Sequence, residues 1–386
     1  MTSRERMLAA LRNKKPDVLP VTTHHLMKSF LDMDQGGLTE REFFDKYGFD
    51  SIRWANGALP VASAGGYAHP SIKQSGYTDL PLVVSDAWSV SVEETDSVKY
   101  HTLRYTIETP RKTLDIELQS NEYTAWLTVH PVKEKSDIDL LADFLPDVVA
   151  DHGVFETAKS EIGDRGIVRS HIPSTVDIYG QPGCWQDACC LVGTEQLIIE
   201  SFDDPAWVHY LLGIIRDHKL TYIHSLLGAG CDIIELGGGD GCTSVISPKM
   251  FDEFVAPYDK ELIDAAHTAG QRITYHLCGK FMPLLSSIRD MGPDALETLT
   301  PPGMGGDAEP SVVRDALGDR MCLIGGFDQN EYFMNSTPDE TREAVAACFE
   351  GAASDGGYII APSDHFFHAK DELLRAFVTQ AHAMEY

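Results

Sequence analysis

Nowhere in the chain do apolar residues run unbroken for the ~18–20 positions a membrane-spanning helix needs. None of the eight cysteines, at 184, 189, 190, 231, 242, 278, 322 and 348, forms a C-x-x-C pair, which excludes a zinc ribbon and a thioredoxin-type motif. They are expected to be free thiols of a reducing compartment, packed as small hydrophobes, with Cys189-Cys190 inside a helix. Positive charge is scarce: 31 Lys and Arg stand against 59 Asp and Glu, a net charge of −28, without a basic cluster. Such a chain repels phosphate backbones and anionic lipid, so neither nucleic acid nor a membrane surface is an expected partner. The opening Met1-Thr2-Ser3-Arg4-Glu5-Arg6 is too charged for a secretory signal, and Thr2 with Glu5 reads instead as a helix capping box. A cytoplasmic enzyme is the expectation. The chain has 386 residues, 43% hydrophobic and 23% charged, which excludes a disordered, collagen-like or disulfide-scaffold protein and allows a large core.

From about residue 200 the punctuation is regular. Asp204-Pro205 opens an amphipathic helix that stops at Gly228, and a strand-like run, Cys231 to Leu236, follows. Ser247-Pro248 opens another helix, bent at Pro257 and ended by Gly270, before the strand-like Arg272 to Leu277. Further strand-like runs lie at Ala295 to Leu299, Met321 to Ile324 and Tyr358 to Ala361. Among the intervening helices, one starts at Thr337-Pro338 with Glu340 closing a capping box, and a last helix covers about 371–384. Three upstream runs, Val18 to Thr22, Ser51 to Trp54 and Ile167 to Ile172, bring the strands to eight. Parallel strands joined by helical crossovers in that number predict a single (β/α)₈ TIM barrel spanning residues 1–386. Residues from about 75 to 132 alternate differently, through Tyr100 to Glu108, Thr113 to Leu118 and Tyr123 to Val129, and predict an antiparallel β insertion near the N-terminal third.

Barrel enzymes place their chemistry where the strands end. The residues closing these runs are Glu235, with Asp240 in the Gly-rich turn behind it, then His276 and Cys278, Glu297, Asp328, and Asp364 with His365. His276 and Cys278 stand two apart on a strand and therefore project to one side, a borderline-soft pair suited to Zn²⁺. The alternative is a core histidine beside a buried thiol. The Gly237-Gly238-Gly239-Asp240-Gly241 turn lacks the spacing of a dinucleotide or P-loop fingerprint and reads better as a β–α loop that lets a substrate approach closely. His24-His25 follows the first strand, where the pair either lines the barrel mouth or serves the fold.

The segment order, with S-R-E-R-M-L-A-A-L at 3–11, S-P-K-M-F-D-E-F-V-A-P-Y at 247–258, H-L-C-G-K at 276–280, E-T-L-T-P-P-G at 297–303, G-D-R-M-C-L-I-G-G-F-D at 318–328 and G-G-Y-I-I-A-P-S-D-H-F-F at 356–367, resembles the uroporphyrinogen decarboxylase superfamily, specifically its corrinoid-dependent methyltransferase-like branch. The resemblance implies a (β/α)₈ barrel and one of two chemistries. Decarboxylases of the family carry, after the first Pro-Val, an arginine-containing segment for the acidic substrate; the matching Pro20 to Lys28 has no arginine. A cofactor-free decarboxylase is therefore the alternative. In the methyltransferase branch H-x-C supplies two zinc ligands, which map onto His276 and Cys278. A third ligand, a cysteine near the last strand, is replaced here by Asp364, which makes the metal harder and more Lewis-acidic.

The expectation is thus a zinc-dependent methyltransferase moving a methyl group from a small methylated substrate, a methyl ether such as a methoxylated aromatic, to the Co(I) corrinoid (cobalamin) of a partner protein. The reverse half-reaction, onto a thiol or pterin, is a further alternative. Zn²⁺ is expected on His276, Cys278 and Asp364. His365 or Glu297 supplies a proton, and Glu235, Asp240 and His24 bind substrate or complete the metal site. Whether the barrel forms a homodimer is left open.

Overall fold

A computed structural model describes residues 1–55, 57–59, 85–95, 99–121, 123–176, 182–353 and 355–386. The first strand, β1 (Ser51–Trp54), is followed by the short β2 (Ala58–Leu59). Next come β3 (Ser89–Thr95), β4 (His101–Glu108), β5 (Thr113–Ser120) and β6 (Ala125–Val129), and then β7 (Val149–Ala150), which pairs antiparallel with β2. The remaining strands are β8 (Gly166–His171), β9 (Ile233–Gly237), β10 (Ile273–His276), β11 (Ala295–Thr298), β12 (Cys322–Gly325) and β13 (Tyr358–Ile359).

β1 and β8 to β13 form one curled parallel sheet of seven strands, each beside its successor. The strands of its middle are buried along their whole length, as in Ile233–Gly237 and Cys322–Gly325, because helices cover the outer face and side chains fill the inner one. The expected strand at Val18 to Thr22 is reduced to a single parallel bridge, Val21 to Ile360. Its backbone is nevertheless held on both sides: Thr22 N donates to Ile360 O at 3.0 Å and Asp50 N to Val21 O at 2.7 Å.

The helix boundaries follow the side-chain chemistry. Thr2 and Glu5 form the expected capping box, as do Thr337 and Glu340, and Asp204 accepts from Trp207 N ahead of the helix Pro205–Ser225. The expected bend near Pro257 takes the form of a π-helical turn, Phe251–Val255, between Pro248–Met250 and Ala256–Thr268. A proline lacks the N–H that would continue the ladder, and one widened turn absorbs the loss. Cys189 and Cys190 lie in the helix Cys184–Val192, and all eight cysteines are free thiols.

β3 to β6 form the antiparallel insertion as a separate four-stranded sheet. Leu103, Tyr105 and Ile107 stand opposite Leu118, Ile116 and Leu114, and these six side chains make its buried face. Arg104 and Thr106 on the other face meet Glu117 and Asp115 in the open, which gives the period-two alternation seen in the sequence. Residues 75–84 of the expected insertion, with 96–98 and 122, lie outside the described residues. Among the described residues no helix is long and apolar enough to cross a membrane.

Candidate active site

Parallel pairing sets the ends of the strands level. His171 stands opposite Glu235, His276 opposite Glu297, and Trp54 opposite Arg169. At the centre Arg169, 2% exposed, reaches across the barrel to two carboxylates on different strands: its Nη2 donates to Glu235 Oε2 at 2.5 Å and also to Glu297 Oε1. The indole of Trp54 covers the guanidinium at 4.5 Å. Three charges buried together are stable only because each has a partner.

The carboxylates in turn hold two imidazoles. His276 Nδ1 donates to Glu297 Oε1 at 2.8 Å, and His24 Nε2 donates to Glu235 Oε2 at 2.9 Å. The opposite nitrogen of the His276 ring, Nε2, then faces Cys278 Sγ at 3.3 Å, so the two-residue spacing converges as expected even though β10 ends at His276. A methyl group on Gly239 would sit 3.3 Å from that sulfur, so the glycine of the β9 turn leaves the thiol its room. Cys278 and the His276 Nε2 thus form a small cradle of one soft and one borderline donor.

Burial opposes ionisation of Glu297, but the Arg169 guanidinium and the His24 imidazole outweigh it and hold the carboxyl well below its usual range. Glu235 is likewise depressed: burial pushes it up, and His24 and Arg169 pull it further down. His276 is raised well above an ordinary imidazole; burial works against the charge, and Cys278 and Glu235 favour it more strongly. Glu297 therefore stays an acceptor and orients His276.

β11 ends under constraint. Thr298 (φ 81°) and Leu299 (φ 47°) occupy the left-handed region, unusual for side chains of this kind, directly after Glu297. Thr298 Oγ1 donates to Leu277 O at 2.9 Å, which ties the end of β11 to the backbone between His276 and Cys278.

Asp364 and His365 lie on the loop after β13, with His365 Nδ1 3.1 Å from Asp364 Oδ1. Asp240 is turned toward another neighbour: Gln186 Nε2 donates to its carboxylate at 3.1 Å, and its own N–H donates to Gln186 Oε1 at 2.6 Å. Among the described residues three sets of ligand atoms lie within 4.8 Å of one another: His24 with His25 and His365; His24 with Glu235, His276 and Glu297; and His25 with His171 and Glu235. Among the described residues Cys278 pairs with His276, and neither Asp364 nor Asp240 joins a set.

Sequence reasoning missed Arg169, His171 and Trp54. The signal was present. Arg169 and His171 stand two apart on the run Ile167 to Ile172, as His276 and Cys278 do on theirs, and Trp54 closes Ser51 to Trp54. Reading strand ends in the first half of the chain as well as the second would have found all three.

The family model described as uroporphyrinogen decarboxylase (URO-D) matches residues 114–384. A uroporphyrinogen decarboxylase of Hydrogenovibrio crunogenus is 25% identical over 238 residues, 59% of this chain and 62% of that protein. A methylated-thiol–coenzyme M methyltransferase of Methanosarcina mazei is 25% identical over 158 residues, 41% of this chain and 40% of that protein. The chain thus spans less than two thirds of the length of either relative. The structure of a methyltransferase from Methanosarcina mazei shares the fold, with a TM-score of 0.61 at 15% identity over 99% of this chain and 98% of that one.

Proposed function

The chain belongs to the uroporphyrinogen decarboxylase (URO-D) family, and from that membership we propose that it is a zinc-dependent methyltransferase, a single (β/α)₈ barrel in which the bridge at Val21 stands for the eighth strand. The reaction proposed is transfer of a methyl group from a small methylated substrate, a methyl ether such as a methoxylated aromatic, to the Co(I) corrinoid of a partner protein.

The observation that carries the reading is the line Glu297–His276–Cys278. A metal-binding histidine characteristically gives its second ring nitrogen to a carboxylate, which fixes the tautomer and aims the other nitrogen. Here the carboxylate holds Nδ1 at 2.8 Å and Nε2 faces the thiol. His276 and Cys278 would hold Zn²⁺, with Asp364, which stands where the family pattern has a cysteine, as the third donor; the ion, when bound, supplies Lewis acidity that makes the methylated heteroatom a better leaving group.

The protein's own groups do the remaining work. Arg169 fixes Glu297 and, through it, the plane of His276. His365, paired with Asp364 through Nδ1, keeps its other nitrogen for the proton that a departing alkoxide or phenoxide requires. A decarboxylase of a polyanion is poorly served by this centre, because its buried guanidinium, Arg169, is outnumbered by the two carboxylates it faces, whose charge repels that of a substrate.

The test is elemental analysis of the purified protein and of Cys278→Ser, together with methyl transfer from an aryl methyl ether to reduced cobalamin, followed by loss of the Co(I) absorbance. The variant loses one equivalent of zinc, and transfer disappears with it. Zinc content unchanged by the substitution, or transfer that persists without metal, overturns the reading.

A further inference from the structure

Beside that site lies a group of rings to which the proposed reaction assigns no collective role. His24, His25 and His365 each bring one ring nitrogen within 4.8 Å of the other two. His25 is stacked between the Trp54 indole, at 4.1 Å and 22°, and the His365 ring, at 5.3 Å and 19°. Three imidazoles gathered at one point, on the loop after the first strand-like segment and the loop after β13, are costly unless they stay neutral or share a cation.

We propose that His24, His25 and His365 hold a second divalent cation of the borderline class, such as Zn²⁺ or Co²⁺, through three imidazole nitrogens. Two further observations support it. His24 gives Nε2 to Glu235, and its Nδ1 is buried with no hydrogen-bond partner among the described residues, a bare nitrogen in the interior. His365 gives Nδ1 to Asp364. Two of the three rings therefore already have the carboxylate-held nitrogen that accompanies metal ligation, supplied by groups outside the three-ring set.

The metal–ligand distances are within reach. Bonds of ~2.0–2.1 Å in a tetrahedron place nitrogens about 3.4 Å apart, so ring nitrogens now within 4.8 Å close on an ion by side-chain rotation. Three protein ligands leave a fourth position open to water or to a substrate heteroatom. An imidazole bound to the ion carries no proton on that nitrogen, so occupancy at His365 exchanges a general acid for a Lewis acid at the same place.

The proposal stands on different residues from His276 and Cys278, and Co²⁺ used as the probe separates the two. Titration of the full-length metal-free protein is expected to show two equivalents. One carries a thiolate-to-cobalt charge-transfer band and the other only ligand-field absorption. His25→Phe keeps the stack on Trp54 and removes a ligand nitrogen; His365→Phe does the same from the facing loop. Each is expected to lose the ligand-field-only equivalent and keep the thiolate band, with an unchanged circular-dichroism spectrum. Cys278→Ser should show the converse. An undiminished cobalt stoichiometry in both phenylalanine variants, or a wild-type protein that binds only the thiolate-ligated ion, overturns the three-imidazole site. Absence of the thiolate band in the wild type sinks the His276–Cys278 reading alone.

Discussion

The Glu297 carboxylate accepts a hydrogen bond from His276 Nδ1 at 2.8 Å, and this contact decides which nitrogen of the ring faces Cys278. Glu297→Gln keeps the size of the side chain but can present its amide N–H₂ to the ring, which weakens control of the tautomer. Zinc affinity measured by competition with a chelator is expected to fall ~10–100-fold. Affinity unchanged from wild type would mean that Glu297 does not orient a ligand.

Arg169→Met leaves Glu235 and Glu297 facing each other without the guanidinium that neutralises them. Breaking a buried pair from one side costs about 3–5 kcal/mol. Urea unfolding should show a loss of that size, and Arg169→Lys should recover only part of it, since the shorter side chain must bring its ammonium to the place where Nη2 meets both carboxylates and gives up the planar group stacked under Trp54.

A second buried pair tests the outer layer of the barrel. Lys219 Nζ is 2.9 Å from Asp187 Oδ2, with both side chains fully enclosed, and Asp187 also accepts from Thr175 N at 2.7 Å. Lys219→Met is expected to cost about 3–5 kcal/mol, as for any buried charge left alone. The double variant Lys219→Met, Asp187→Asn should be less damaged than the single one, and additive losses would count against direct coupling.

Asp259 gives a signed pH dependence. Burial pushes its carboxyl up to about 6, against 3.8 for an ordinary aspartate. An acid whose value is raised by folding binds more protons folded than unfolded between those two points, so its contribution to stability falls as pH rises through that window. The penalty is absent below pH ~4 and complete above pH ~6, about 3 kcal/mol for a shift of this size. Asp259→Asn should therefore gain on the wild type by up to that amount between pH 4 and pH 7. A difference between the two proteins that stays flat across the range refutes the assignment.

Gly237 closes β9 at φ +106°, and a methyl group there would lie 2.4 Å from His276 O. Gly237→Ala therefore meets backbone strain and backbone contact at once, and should destabilise by more than ~1 kcal/mol. Because the clash is with His276 itself, metal affinity is expected to drop together with the melting temperature.

The parts of the fold that show in the sequence are those with local causes. Capping boxes at Thr2 and Thr337 and the proline at 205 mark helix starts through chemistry confined to one turn. The alternation along β4 and β5 marks a sheet with one wet face. Strand ends located His276 and Cys278. The Val18 to Thr22 run is apolar enough for a strand, but the chain there is held through a few hydrogen bonds to Ile360 and Asp50, a choice made by neighbours 29 and hundreds of residues away. Arg169 stayed hidden for a related reason. A basic residue inside an apolar strand reads as an exception until Glu235 and Glu297, on two other strands, are seen to meet it, and only the register supplies that meeting. Asp240 shows the converse: its place in a Gly-rich turn suggested substrate, and Gln186, on a helix read only for its cysteines, engages it instead.

Arg169 grips both carboxylates, so His24 and His276 share a fulcrum. Whatever draws electron density from Glu235 through His24 leaves the guanidinium free to lean on Glu297, and the reverse holds equally. Binding at one histidine must then alter binding at the other, and by linkage the influence is equal in both directions. Two ligands on separate histidines would sense each other through the pair of carboxylates and the planar cation between them.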